Sequence, residues 1–115
     1  MKKDELVYLK HVLDAISRIE EYVQNVKHED FMNNHLIQDG VIRQLEIIGE
    51  ATKKLSKKIR NKYPDTPWKD IAGMRDKLIH DYFGVDLDAV WSTIEKDIPP
   101  LKEVINIIIK EESRI

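Results

Sequence analysis

Arg75, His80 and Tyr82 stand in the order Arg-x-x-x-x-His-x-Tyr, inside Gly73-Met74-Arg75-Asp76-Lys77-Leu78-Ile79-His80-Asp81-Tyr82. An arginine holds a phosphate with a charge that does not titrate away. A histidine gives or takes a proton near neutral pH. The two together suffice to break a phosphodiester without a metal ion. The chemistry would be transesterification. A base removes the proton from a ribose 2′-hydroxyl, and the oxygen attacks the adjacent phosphorus. The products are a 2′,3′-cyclic phosphate and a free 5′-hydroxyl. His80 fits the general base or the general acid. Arg75 stabilises charge on the phosphate oxygens in the transition state. Asp76, four residues before His80, shares its face of a helix and is placed to orient the imidazole. The need for a 2′-hydroxyl makes RNA the substrate.

The spacing also constrains geometry. Each residue of an ideal helix turns by about 100°. Arg75 and Tyr82 therefore share a face, whereas Arg75 and His80 lie roughly 140° apart. They converge if the long arginine arm wraps round, if the helix loosens near His80, or if a second copy of the chain completes the cleft. The third option suits a two-fold homodimer, which brings two copies of the motif together. His11, His28 and His35 have no metal-ligand spacing with one another, so neither a metal nor a cofactor is expected. The competing reading of the motif is a binding module, in which the same residues hold phosphate and break no bond.

The remaining composition narrows the field. At 115 residues the chain is expected to be a single domain, 1–115. Charged residues are 35% and hydrophobic residues 42%, the balance of a globular protein. Cysteine is absent, which removes disulfides, a thiolate nucleophile and cysteine zinc sites. No apolar run suits a signal peptide or a membrane span, so a cytoplasmic protein is expected. A net charge of −2 argues against coating nucleic acid by bulk electrostatics. The charge is uneven, however. Lys53, Lys54, Lys57, Lys58, Arg60 and Lys62 fall within ten residues that hold no acid. Such a ridge can guide an RNA backbone, although a solvated helix face would read the same way.

The elements that must position these residues are helical. Leu6, Leu9, Leu13, Ile16, Ile19 and Val23 recur every three or four residues and predict a helix from about residue 4 to 26. Residues 27–36 read as a loop with at most a short turn. Ile37, Val41, Leu45, Ile48, Leu55 and Ile59 predict one long helix, with the basic ridge on its C-terminal half. Thr66 and Pro67 then read as N-cap and first residue of a third helix, from about Pro67 to Tyr82, ended by Gly84. Asp86 is placed to cap a fourth helix, and Pro99-Pro100 to break or kink the chain before a last one. The expected architecture is an all-α antiparallel bundle of four to five helices, with Trp68 and Trp91 as core.

The surrounding residues resemble a known family. They include Leu9-Lys10-His11-Val12-Leu13-Asp14-Ala15-Ile16 and Asp39-Gly40-Val41-Ile42-Arg43-Gln44-Leu45-Glu46-Ile47-Ile48-Gly49-Glu50-Ala51. Pro67-Trp68-Lys69-Asp70-Ile71-Ala72-Gly73-Met74-Arg75-Asp76 and Leu78-Ile79-His80-Asp81-Tyr82-Phe83-Gly84-Val85-Asp86 follow. The chain resembles the HepT-like toxins of the HEPN superfamily nearly end to end. Gly40, where alanine is common, is a minor departure. The resemblance implies a homodimeric, metal-independent ribonuclease toxin with Arg75 and His80 as its catalytic pair. It implies a partner, an MNT-type nucleotidyltransferase antitoxin that transfers AMP to the motif tyrosine, here Tyr82. A nucleotide on Tyr82 would set charge and bulk two residues from His80 and repel RNA phosphates. Glu46 and Glu50 are placed to face Arg75 and pre-position it, beside a Gly49 that permits close helix contact. The alternative function is a non-catalytic helical module that binds a nucleotide or docks a nucleotidyltransferase.

Overall fold

A computed structural model describes residues 3–74 and 84–113. Every regular element among them is helical. The helices are α1 (Lys3–Tyr22), α2 (His28–Met32), α3 (His35–Lys53), α4 (Lys57–Lys62), α5 (Trp68–Ala72), α6 (Leu87–Ser92) and α7 (Ile98–Glu112). A π-helical turn, Thr93–Asp97, joins α6 to α7.

The apolar stripes of α1, α3 and α7 turn inward and meet. Leu9, Val12, Ile16 and Ile19 of α1 pack with Val41, Leu45 and Ile48 of α3 and Ile105 and Ile108 of α7, all essentially without solvent access. Their directions follow from contacts at the ends. Glu5, near the start of α1, accepts a hydrogen bond at 2.7 Å from the Ser56 backbone N–H, just past the end of α3. Tyr22, at the end of α1, lies beside Gly40, early in α3. Lys102, early in α7, pairs with Glu20, late in α1, at 3.0 Å. Helix α1 therefore runs antiparallel to both of its long neighbours, the packing of a helical bundle.

Local chemistry explains where the structure departs from the periodicity. Helix α1 stops at Tyr22, and Asn25 takes a left-handed φ of 61° that asparagine tolerates. The expected loop contains α2, whose Asp30 carboxylate accepts from the Lys27 backbone N–H at 3.2 Å. Its Phe31 is fully buried and stacks at a tilt against Trp91, 5.2 Å away. The long helix expected through Ile59 ends at Lys53. Ser56 then caps α4, accepting from the Ile59 backbone N–H at 3.2 Å. An apolar stripe cannot reveal this break, because Leu55 within it and Ile59 beyond it are both buried.

Thr66 is not the side-chain cap of the next helix; its carbonyl accepts from Trp68 N–H, and Pro67 precedes the first helical residue. Helix α5 spans Trp68–Ala72, with Gly73 N–H still bonded to the Lys69 carbonyl at 3.0 Å; the expected course of the third helix from Arg75 to Tyr82 lies outside the described residues. Asp86 does cap α6, accepting from Ala89 N–H at 3.0 Å. Pro99-Pro100 does not break the chain. The prolines sit in the first turn of α7, and the wide π turn just before them removes the usual clash of a proline ring with the carbonyl four residues back.

Candidate functional site

Arg75, Asp76, His80 and Tyr82 lie outside the described residues. The structure does place what leads into them. Met74 is buried, and α5 immediately before it rests on the middle of α3. The contact is made at Gly49. A Cβ built there would stand 3.3 Å from the Ala72 carbonyl oxygen and 3.4 Å from that of Ile71. The α3 backbone thus touches the α5 backbone directly, and a hydrogen atom is what fits between them. Trp68 anchors the other end of α5. Its ring is buried and its indole N–H donates to the Tyr63 carbonyl at 2.9 Å.

Glu46 and Glu50 flank this contact. On α3 they lie roughly 60° to 100° around the axis from Gly49. Glu46 is 27% exposed and ion-paired with Arg43 at 3.9 Å. Glu50 is 63% exposed and paired with Lys53 at 3.3 Å. Both carboxylates therefore stand on the ridge of α3 beside the chain segment that ends at Met74.

The basic ridge is divided by the break after α3. Lys53 is turned to Glu50. Lys54 points into a surface groove. Lys57 and Lys58 begin α4 and are exposed. Arg60 is structural: its Nη2 donates at 2.7 Å to the Thr52 carbonyl and closes the end of α3. Lys62 pairs with Glu112 at 2.6 Å, holding α4 to the end of α7. That hydrogen bond keeps the Lys62 ammonium above its ordinary pKa and the Glu112 carboxyl below its own. Burial, and then the neighbouring Glu111 carboxylate, push the Tyr63 phenol well above the usual tyrosine range. Four of the expected RNA-facing cations thus remain near the end of α3, while the other two hold the fold together.

Two concavities border the α3–α5 contact. One, of about 430 Å³, runs between α1 and α3 and is lined by Tyr8, His11, Arg43, Glu46, Ile47, Glu50, Ala51 and Lys54. The other, of about 220 Å³, lies between α5 and the π turn, with Asp65, Asp70 and Asp97 around Ile71, Met74 and Leu101. Among the described residues no three His, Asp or Glu side chains are grouped so as to hold a metal ion. No described helix is long and apolar enough to cross a membrane.

Sequence reasoning left Tyr8, His11 and Arg43 out of the site. Tyr8 and His11, three residues apart, meet edge to face at 6.3 Å on α1. Only the antiparallel register of α1 on α3 brings Arg43 and Lys54 opposite them, and no local spacing announces that register.

Comparison with known proteins follows the same segments. The family model for ribonuclease HepT-like proteins matches residues 12–108, a span that contains Arg75, His80 and Tyr82. A protein of Thermococcus cleftensis named "Probable ribonuclease HepT" is 46% identical, over 89% of this chain and 93% of its own. Two proteins of Methanocaldococcus jannaschii carry "putative RNase" in their names. One is 47% identical over 96% of this chain and 91% of its own. The other, also named a gamma-glutamylcyclotransferase, is 50% identical over 96% of this chain, which spans 50% of that longer relative. No solved structure matches the chain. The helices of the described residues and these matches define the class, a ribonuclease. The chain belongs to the HepT-like ribonuclease family.

Proposed function

We propose that this chain is an endoribonuclease that cuts RNA by 2′-hydroxyl transesterification, acting as the toxin of a toxin–antitoxin pair. The observation that carries the reading is the family match across the Arg75–Tyr82 segment, joined to the backbone contact that seats α5 at Gly49. Arg75 holds the scissile phosphate and stabilises its developing charge. His80 moves the proton, and Asp76 orients the imidazole. Glu50, on the ridge beside the α5 contact, supports Arg75. Lys53, Lys54, Lys57 and Lys58 attract the RNA backbone from the α3–α4 corner. The active form is a homodimer in which a second motif completes the cleft. A nucleotidyltransferase antitoxin of the MNT type silences it by placing AMP on Tyr82.

The test is incubation of the wild-type protein, Arg75→Ala and His80→Ala with mixed cellular RNA and EDTA, followed by analysis of the fragment ends. Cyclic-phosphate ends are expected from the wild type alone, with both variants folded. No cleavage by unmodified wild-type protein of intact mass would refute the ribonuclease reading and favour a nucleotide-binding or transferase-docking module.

A further inference from the structure

The groove between α1 and α3 adjoins the site without containing any residue of the motif. Its two walls differ in chemistry. On α1, Tyr8 and His11 offer ring surface in an edge-to-face pair. On α3, Arg43, Ile47, Glu50 and Lys54 fall at intervals of four, three and four residues, so they form one stripe. Arg43 is 69% exposed at one end of that stripe, and Lys54 is exposed at the other. Aromatic surface opposite spaced cations is how proteins hold an unpaired nucleotide: the base stacks on a ring and the cations take the phosphates. A volume of about 430 Å³ admits a mononucleotide.

The groove's position gives it a relation to the cut. Glu46 and Glu50 form its edge, and across that edge lies Gly49 with α5, whose chain continues through Met74 to Arg75. The groove wall and the Gly49 seat of the chain leading to the motif are therefore neighbours on α3. Both carboxylates line the groove, Glu46 at 3.9 Å from Arg43 and Glu50 between Arg43 and Lys54 on the stripe, so an entering phosphate competes with Glu46 for Arg43 and is drawn to the two ends.

We propose that this groove is a nucleotide subsite for single-stranded RNA: one unstacked base lies on the Tyr8 ring with His11 at its edge, and phosphates on either side of it, about two or three nucleotides apart along the strand, lie at Arg43 and Lys54. The inference rests on the RNA-cutting reading for its link to cleavage, but the binding event does not require cleavage. The probe is therefore a short single-stranded RNA with 2′-O-methyl riboses, which cannot be cut, carrying 2-aminopurine as a stacking reporter. Wild-type protein should quench the reporter on binding. Tyr8→Leu should abolish the quenching and weaken binding roughly ten-fold, about 1.4 kcal/mol. Tyr8→Phe should retain both, because the ring face is kept. Arg43→Gln, at an exposed position whose ion partner is Glu46, should weaken binding several-fold. With ordinary RNA, Tyr8→Leu and Arg43→Gln should raise KM and leave kcat nearly unchanged, and Tyr8→Phe should change neither.

Wild-type affinity and quenching in both Tyr8→Leu and Arg43→Gln would overturn the subsite. So would a loss of self-association in these variants with RNA affinity per subunit unchanged, which would make the groove the seat of a second copy. If the wild type binds the uncuttable probe in a Tyr8-dependent way yet never cleaves RNA, the ribonuclease reading falls and the subsite stands.

Discussion

A methyl group added at Gly49 tests whether the α3–α5 contact sets the geometry of the chemistry. The new Cβ would meet two backbone carbonyl oxygens, Ala72 at 3.3 Å and Ile71 at 3.4 Å. The first is tighter than an ordinary contact, and the second is at the near limit of one. A main-chain oxygen cannot swing aside as a side chain can, so the C-terminal end of α5, which carries both, must shift. Overpacking of this kind costs about 1–3 kcal/mol. Replacing a mid-helix glycine by alanine returns about 1 kcal/mol of helix propensity. Gly49→Ala should therefore lose at most about 2 kcal/mol, a melting shift of a few degrees for a chain of this size. Its activity should fall further than its stability. A misplacement of about 1 Å costs on the order of 100-fold in rate, so a shift of a few tenths should cost several-fold to ten-fold in kcat.

Gly40→Ala is the control. Its Cβ would meet the Tyr22 ring at 3.2 Å, a half-buried side chain that can turn. That variant should be neutral or slightly stabilised and fully active. Melting, RNA cleavage rates and amide exchange across residues 68–72 decide the matter. Gly49→Ala with wild-type kcat and unaltered exchange in α5 would refute the idea that this contact positions the motif.

Glu5 is buried to 9% exposure and accepts from the Ser56 N–H that starts the turn into α4. Glu5→Ala should cost about 1–3 kcal/mol by leaving that donor unpaired, while Glu5→Gln should recover most of it; equal melting of the two variants would contradict this. The Lys62–Glu112 pair predicts two pH limits. Glu112 is held below its ordinary carboxyl pKa, first by its hydrogen bond to Lys62, so its contribution is complete above that ordinary value and lost as pH falls through the lowered one. Lys62 is raised, so its contribution is complete below its ordinary value of 10.5 and lost as pH climbs through the raised one. Lys62→Met should flatten both limbs of a pH–melting curve; a curve of unchanged shape would show the pair to be inert. Tyr82→Phe should stop transfer of AMP by a cognate antitoxin, read by intact mass, and a modified variant would move the modification elsewhere.

The periodic parts of the chain announced their own structure. The stripes of α1 and of α3 up to Lys53 identify helices and their buried faces, and Asp86 was readable as a cap because its side chain acts within three residues. What failed to show depends on partners far along the chain. Ser56, next to Leu55, is a local cap for α4, but the apolar stripe running on through Ile59 hides it, and the Glu5 that holds the Ser56 N–H is 51 positions away. Nothing near Phe31 marks α2 as core, since its cover is Trp91. Arg60 and Lys62 looked like their lysine neighbours until the Thr52 carbonyl and Glu112 claimed them. Gly49 was legible as a place of close approach, but the partner it meets is a backbone, and a backbone has no signature in residue type.

These contacts assign separate duties around one helix. Around the C-terminal half of α3, Ile48 and Thr52 face the core, Gly49 receives α5, Glu46 and Glu50 form an acidic edge, and Arg43, Ile47 and Lys54 line the groove shared with α1. A 100° step separates successive duties, so a segment of about three turns holds them all. The consequence is mechanical. A displacement of α5 against Gly49 acts on the same rigid rod that carries the groove wall, so packing, motif placement and groove geometry cannot be altered independently along that segment. The break after Lys53 serves this arrangement. It lets Lys57 and Lys58 leave the direction of α3 and stand at the corner, outside the groove that Lys54 enters. An unbroken helix would have carried those charges straight on along the axis of α3.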